Sequence, residues 1–259
     1  QESCYIRVGD FEKFFDRLDH VYLKGRVEQL LKVESLPSDW YHVFKSVTKY
    51  TYVEKKDIAS FYDKRNERYF SATKKFRQFR KFHPEAFKKN FNNYGIPQGT
   101  AISGILANVY MSEVDQAIAE FVRQYGGLYR RYSDDTIIVI PKNRITPSEW
   151  ESVEYRIKDI ISIAKVTEQE EKTYRFIFEN GRIIPNGKDG VSKHLDYLGF
   201  TFDGENVLLR QKCIYKFERK AHESISHAYT IKRGMSIILC KIFRNLYRIF
   251  PLEGQVVHQ

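Results

Sequence analysis

The chain has 259 residues, 42% hydrophobic and 15% aromatic, enough apolar surface to offset the entropy of ordering a core, which excludes a wholly disordered chain. Lys and Arg outnumber Asp and Glu by 43 to 33, and the net charge of +10 favours a polyanionic partner over a neutral small molecule. The three cysteines, Cys4, Cys213 and Cys240, lie too far apart for a Cys-x-x-Cys metal site and are odd in number for a disulfide framework. With no apolar run of roughly 18 residues and no leader-type start, a cytoplasmic protein is expected; Gln1 is not an initiator Met, so the chain reads as a piece of a longer one.

In chain order, residues 5–8 predict a short strand running to Asp10. Phe11, Phe14, Phe15, Leu18 and Tyr22 then recur at helical spacing, which predicts a strand feeding a helix. Residues 26–53 continue as helical or mixed structure, with Pro37-Ser38-Asp39 marking a helix start. Further on, Lys74, Lys75, Arg77, Arg80, Lys81, Lys88 and Lys89 interleave with Phe76, Phe79, Phe82, Phe87 and Phe91. Such a stretch suits phosphate contact with base stacking, and it equally suits a helix that buries its Phe face and solvates its Lys face. Ile102, Ile105, Leu106, Val109, Val114 and Ile118 keep a helical period as far as Phe121, and Gly126-Gly127 ends it. Residues 128–132 and 136–140 are β-type runs flanking the polar corner Ser133-Asp134-Asp135, which predicts a hairpin. Residues 150–164 read as an amphipathic helix, 174–178 as a strand, 197–209 as two strands turned at Asp203-Gly204, and 211–250 as basic and helical.

Two adjacent carboxylates at the corner of an apolar hairpin are costly to hold together unless a cation neutralises them, which makes Asp134 and Asp135 candidate metal ligands. Asp is also a favoured turn residue, so this tripeptide alone fits an ordinary turn. In its setting, however, Tyr132-Ser133-Asp134-Asp135 resembles motif C of reverse transcriptases, and Gly95-Ile96-Pro97-Gln98-Gly99-Thr100-Ala101-Ile102-Ser103 resembles their motif B. A Pro-Gln-Gly turn feeding a helix N-terminus offers backbone N–H donors and an amide beside an incoming triphosphate. The resemblance implies nucleotide contact by Gln98 and Gly99 and a template-strand role for Ser103. Relatives often carry Pro after that Ser; Gly104 here is expected to loosen the helix start and leave the chemistry intact.

A third carboxylate is needed on a neighbouring strand, and both "GDFEKFFDRLDH" around Asp10 and "KKDIASFYDKRN" around Asp57 resemble motif A. Sequence separation from Asp134 favours Asp57. Local physics favours Asp10, because an apolar strand precedes it, whereas Asp57 is flanked by charge that a buried strand would not tolerate well. "FFDRLDH" and "LPSDWYHVFKSVTKYTYV" also resemble abortive-infection and defence-associated reverse transcriptases of bacteria, which carry extra residues between motifs A and B. Asp10 is therefore the expected motif A residue, with the Asp57 segment in an insertion at about 45–92.

The resemblance implies that Asp10, Asp134 and Asp135 hold two Mg²⁺ ions, or Mn²⁺, with Phe11 and Phe15 beside the nucleotide. Phe15 would then stand as a steric gate against a ribose 2′-hydroxyl. Under the Asp57 alternative the gate is Tyr62. Glu170-Glu171-Lys172-Thr173 resembles motif D, whose Lys protonates the leaving pyrophosphate, though a lone Lys after two Glu also fits a solvated turn. Leu198-Gly199-Phe200 resembles motif E, which grips the primer.

The expected fold is α+β: a polymerase right-hand palm, an antiparallel sheet packed on helices, over 1–209, and the start of a helical thumb over 210–259, with the fingers mostly absent from this chain. The implied activity is RNA-directed DNA polymerase, in bacterial antiviral defence, with dNTPs, an RNA or DNA template and a DNA product as partners and an associated non-coding RNA or homo-oligomer left open. Untemplated or protein-primed synthesis by the same site is one alternative. A catalytically inactive palm used for nucleic-acid binding or assembly is another.

Overall fold

A computed structural model describes residues 3–58, 74–186 and 194–231. Its central strand β1 (Cys4–Asp10) is buried at five consecutive positions, which the run Tyr5-Ile6-Arg7-Val8-Gly9 allows because all but one of its side chains are apolar or absent. Around it β4 (Leu128–Tyr132), β5 (Asp135–Pro141), β6 (Tyr174–Glu179) and β7 (Arg182–Pro185) form a five-stranded sheet in the order β4-β5-β1-β6-β7. Every pairing in it is antiparallel.

One face of the sheet is covered by α5 (Ala101–Arg123) and α6 (Pro147–Ser162). The buried stripe of α5, Leu106, Ala107, Tyr110, Met111, Val114, Ile118 and Val122, has the three- and four-residue spacing of a helix with one apolar side. Helix α6 starts in a capping box, Thr146 and Glu149 each bonding the other's backbone, with Pro147 in the first turn where no N–H is needed. Its Trp150 stacks on Tyr5 of β1 with ring centroids 5.2 Å apart. Gly127 is required between α5 and β4: a Cβ there would lie 2.7 Å from Ile140 Cγ1, Val122 Cγ1 and the Val139 carbonyl oxygen.

The helix expected after Asp10 is two helices. Helix α1 (Phe14–Arg17) follows Lys13, which is left-handed at φ 47, and the chain is extended again at Leu18. The Asp19 side chain then accepts from the Tyr22 amide and starts α2 (His20–Leu31) afresh. Helix α3 (Ser38–Thr48) begins at the expected Pro37. Strands β2 (Thr51–Tyr52) and β3 (Lys88–Lys89) pair as a small arm, between which lies α4 (Lys74–Phe82). The reading of the basic aromatic stretch as a helix with a buried Phe face holds in part. Phe79 is buried against Phe87 and His83, whereas Phe82 and Phe91 are exposed, as are Arg77, Arg80, Lys81 and Lys89.

The chain divides into two units, Gln1–Lys193 and His194–Gln259. The expected division at 209/210 falls inside the second unit. That unit holds β8 (Leu195–Tyr197), β9 (Phe200–Phe202), β10 (Val207–Leu209) and α7 (Gln211–Ile231); the two strands expected over 197–209 and turned at Asp203-Gly204 are β9 and β10, and β8 precedes them. No helix among the described residues is long and apolar enough to cross a membrane. The alternative gate Tyr62 and the helical stretch expected past residue 231 lie outside the described residues.

Candidate active site

The β4–β5 hairpin is closed by only Ser133 and Asp134, with Ser133 left-handed at φ 57. Arg131 braces this corner from beneath. Its Nη1 donates to the Ser133 carbonyl at 2.7 Å, while its Nε and Nη2 grip the Asp115 carboxylate of α5 at 2.8 and 2.6 Å. The Tyr129 hydroxyl donates to the same carboxylate at 2.8 Å. Burial and that carboxylate push the Tyr129 phenol up, so it remains a donor. The helix following the Gln98 turn therefore carries the anion that holds the Asp134 hairpin.

Asp10 ends β1 directly opposite Asp135, and the Phe11 amide donates to the Asp134 carbonyl at 3.3 Å. A cleft of about 360 Å³ opens here, lined by Asp10, Asp134, Phe15, Gln98, Gln169 and Lys172, among others. Phe11 also borders it, its ring buried and stacked on Phe14, whose other neighbour is the half-buried Phe15. Asp135 does not line the cleft. Lys172 Nζ lies 2.8 Å from Asp10 Oδ2, and that hydrogen bond, more than the added attraction of Asp134, raises the Lys172 pKa.

Gln98 reaches the cleft because residues 93–96 run beside 15–20. The Ile96 amide donates to Phe15 O at 2.9 Å, the Gly95 amide to Leu18 O at 2.9 Å, and the His20 amide to Asn93 O at 2.8 Å. Asn90 locks this strap by donating from Nδ2 to Thr48 O at 3.0 Å and Tyr94 O at 3.1 Å. Gly95 and Gly99 both have φ 89, a conformation that favours glycine. Thr100 caps α5. Ser103 is fully buried and donates to Pro97 O at 2.6 Å, so its hydroxyl shapes the Gln98 turn and is not presented to a passing strand.

Buried His20 also holds the strap, its Nε2 lying 2.7 Å from Gly95 O. Burial is the main reason its pKa is lowered below 6.5, with Lys49 adding to the effect. The native state thus takes up fewer protons than the unfolded chain, and His20 contributes stability that is complete above pH 6.5 and is lost as the pH falls through its lowered pKa. Melting temperature measured from pH 7.5 down to 5 is expected to fall more steeply for wild type than for His20→Gln. Equal slopes would contradict this reading of His20.

Asp57 sits elsewhere, in a turn just after β2 where its amide donates to Glu54 O at 3.0 Å, and it does not line the cleft. Its neighbourhood is an exposed charge cluster: Lys56 and Lys88 bond Glu54 and hold its carboxyl down at about 2. In the second unit, Leu198 (φ 48) and Gly199 (φ 84) are the two-residue turn between β8 and β9, with both residues left-handed as in tight hairpins. Phe200 is exposed beside them.

Arg131, Asp115, Glu168 and Gln169 were not anticipated from the sequence. The Arg130-Arg131 pair, separated from the two aspartates by Tyr132 and Ser133, was the one local signal for Arg131.

Asp10 and Asp134, which meet at this cleft with Glu12 and Asp16 also in its lining, suit a hard cation. Among the described residues no three His, Cys, Asp or Glu side chains gather as a cation site on their own.

The profile of the reverse transcriptase (RNA-dependent DNA polymerase) family matches residues 22–202. No curated protein sequence matches the chain. Among solved structures, apo telomerase from Candida tropicalis truncated from its C-terminal domain is 18% identical, with a TM-score of 0.44, over 81% of this chain and 36% of that one. Apo telomerase from Candida tropicalis is 16% identical at a TM-score of 0.47, over 81% of this chain and 33% of that one. Telomerase from Candida albicans in complex with a TWJ fragment of telomeric RNA is 15% identical at 0.46, over 80% and 30%. The chain spans about a third of the length of these proteins.

The antiparallel sheet packed on helices is a palm-like fold. The chain belongs to the reverse transcriptase family. The matched segment contains Asp57, Gln98, Asp134 and Lys172 and begins after Asp10, so it is strand register and the cleft that join Asp10 to Asp134.

Proposed function

We propose that this chain is the palm, with the start of the thumb, of a reverse transcriptase that adds dNTPs to a primer 3′-hydroxyl. The observation that carries this is the meeting of Asp10, Asp134, Gln98, Phe15 and Lys172 in one cleft from four separate stretches of chain. The 3′-oxygen attacks the α-phosphorus of the dNTP, the bond to the β-phosphate oxygen breaks, and pyrophosphate leaves. Asp10 and Asp134 would hold divalent cations, which supply Lewis-acid polarisation of the phosphoryl oxygens and lower the pKa of the attacking hydroxyl. Asp135 supports the pair from the adjoining strand. Lys172, kept charged by Asp10, is a proton source for the leaving pyrophosphate. Gln98 and the Gly99 turn orient the triphosphate, and Phe15 excludes a 2′-hydroxyl. Leu198, Gly199 and Phe200 present a primer-gripping turn. The charge of +10 and the run of Lys and Arg along α4 suit a nucleic-acid partner, and the resemblance to abortive-infection enzymes supports a role in bacterial antiviral defence.

The test is extension of a labelled primer by the full-length protein with Mg²⁺ and dNTPs, with and without an RNA template. Template-dependent extension is expected. Equal incorporation without template would move the reading to untemplated synthesis by the same residues, and no incorporation under either condition would favour a binding module. Phe15→Val is expected to lower the preference for dNTP over rNTP roughly 10- to 100-fold in kcat/KM, as expected when a steric block is cut back in a packed pocket. An unchanged preference would remove the gate from Phe15.

A further inference from the structure

We infer that Glu168, through its buried pairing with Arg7, is a positioning residue that sets where Lys172 stands over Asp10. The inference rests on the role proposed for Lys172. Residues 10–12 and 167–169 lie side by side: the Glu12 amide donates to Thr167 O and the Gln169 amide to Asp10 O, both at 2.8 Å, with Phe11 bridged to Glu168 between them. One short 3₁₀ turn (Glu170–Lys172) then carries Lys172 Nζ back to Asp10. The reach of Lys172 is therefore fixed by the seat of residues 167–169.

That seat is ionic and internal. The Arg7 side chain, in the middle of β1, is 1% exposed, and the Glu168 side chain is 5% exposed. The two meet as a fork, Nη1 to Oε1 at 2.8 Å and Nη2 to Oε2 at 2.7 Å. Gly9 makes room for the carboxylate: a Cβ there would lie 2.9 Å from Glu168 Oε1 and 2.9 Å from Thr136 Oγ1. The position before Asp10 thus gives up its side chain to a glutamate brought in from beyond α6. At the other end of the segment, Glu170 accepts from Lys158 at 3.0 Å and from Arg175 at 2.9 Å, and Arg175 in turn holds Glu154 at 2.8 Å. A solvated turn needs no buried anion, and removing two charges from water is expensive. The return on that cost is a two-ended clip on the segment bearing Lys172, since misplacing a reacting group by about an ångström costs on the order of a hundredfold in rate.

The test compares wild type, Glu168→Gln, Lys172→Ala and the double variant in the full chain. Glu168→Gln is expected to lower kcat for dNTP addition by about tenfold to a hundredfold with KM for dNTP little changed. In the Lys172→Ala background it should cause little further loss, because the group it positions is gone. An equal factor in both backgrounds would show that Glu168 acts through general stability and would overturn the inference. Hydrogen exchange supplies an arm that needs no turnover: the amides of Glu12 and Gln169 should exchange at least tenfold faster in Glu168→Gln, and unchanged protection would also overturn it. Faster exchange with an inert wild type would leave the clip standing while the polymerase reading falls. Should Glu168→Gln not fold, Arg7→Met/Glu168→Met removes both charges together and is expected to fold, with the same loss of kcat and of protection; normal values of both would sink the proposal.

Discussion

Asp134→Ala is expected to lower kcat for dNTP addition on the order of a thousandfold or more while leaving the melting temperature close to that of wild type. The carboxylate stands at the tip of a hairpin whose shape is set by others. Arg131 holds the Ser133 carbonyl, Asp115 holds Arg131, and the Phe11 amide holds the Asp134 carbonyl, all without the Asp134 side chain. Removing it deletes the acidic group that the β4–β5 turn brings to the cleft beside Asp10 and leaves the backbone intact. Losses of this size are typical when a group that stabilises developing charge is deleted. Steady-state primer extension beside thermal melting checks it. A loss of activity in step with a loss of stability would assign Asp134 a structural role instead.

The second large effect is on stability. Arg7→Ala leaves the Glu168 carboxylate buried without its fork of donors and is expected to cost roughly 3–5 kcal/mol of unfolding free energy. Arg7→Met/Glu168→Met, which removes both charges and restores apolar volume, should recover most of that loss, since isosteric apolar replacements of buried ion pairs are often neutral. Urea unfolding of the three proteins decides the matter. A double variant as unstable as Arg7→Ala would mean that the pair contributes through hydrogen bonds that an apolar contact cannot replace.

The β4–β5 hairpin was legible because strand periodicity and turn chemistry agree there: buried Ile138 and Ile140 alternate with less buried neighbours, and a polar corner closes the loop. The long α5 was legible for the same reason at helical period. Choosing between Asp10 and Asp57 turned on the strand that precedes each. Cys4–Asp10 proves to be the middle of the sheet, while Asp57 follows a two-residue strand in an exposed arm. The break between α1 and α2 was hidden because the Phe stripe continues through it; what interrupts the helix is the left-handed Lys13 and the cap at Asp19, and neither disturbs the apolar spacing. Strands β7 and β8 are only four and three residues long, too short for a period to declare itself. Ser103 could be recognised as part of a motif, yet that its hydroxyl faces Pro97 is a property of the folded turn. Arg7 and Glu168 lie 161 residues apart, and only the folded sheet makes a buried partner of what reads as a stray charge in an apolar strand.

The most direct test of the proposed site is Mg²⁺-dependent primer extension by Asp10→Ala and Asp57→Ala side by side with wild type, in the full-length protein. Asp10 shares a cleft with Asp134 and Asp57 does not, so extension should be abolished in Asp10→Ala and retained within about twofold in Asp57→Ala, as for a surface change away from the chemistry. Extension that survives in Asp10→Ala and disappears in Asp57→Ala would contradict the site described here and place the acidic partner of Asp134 in the β2–β3 arm.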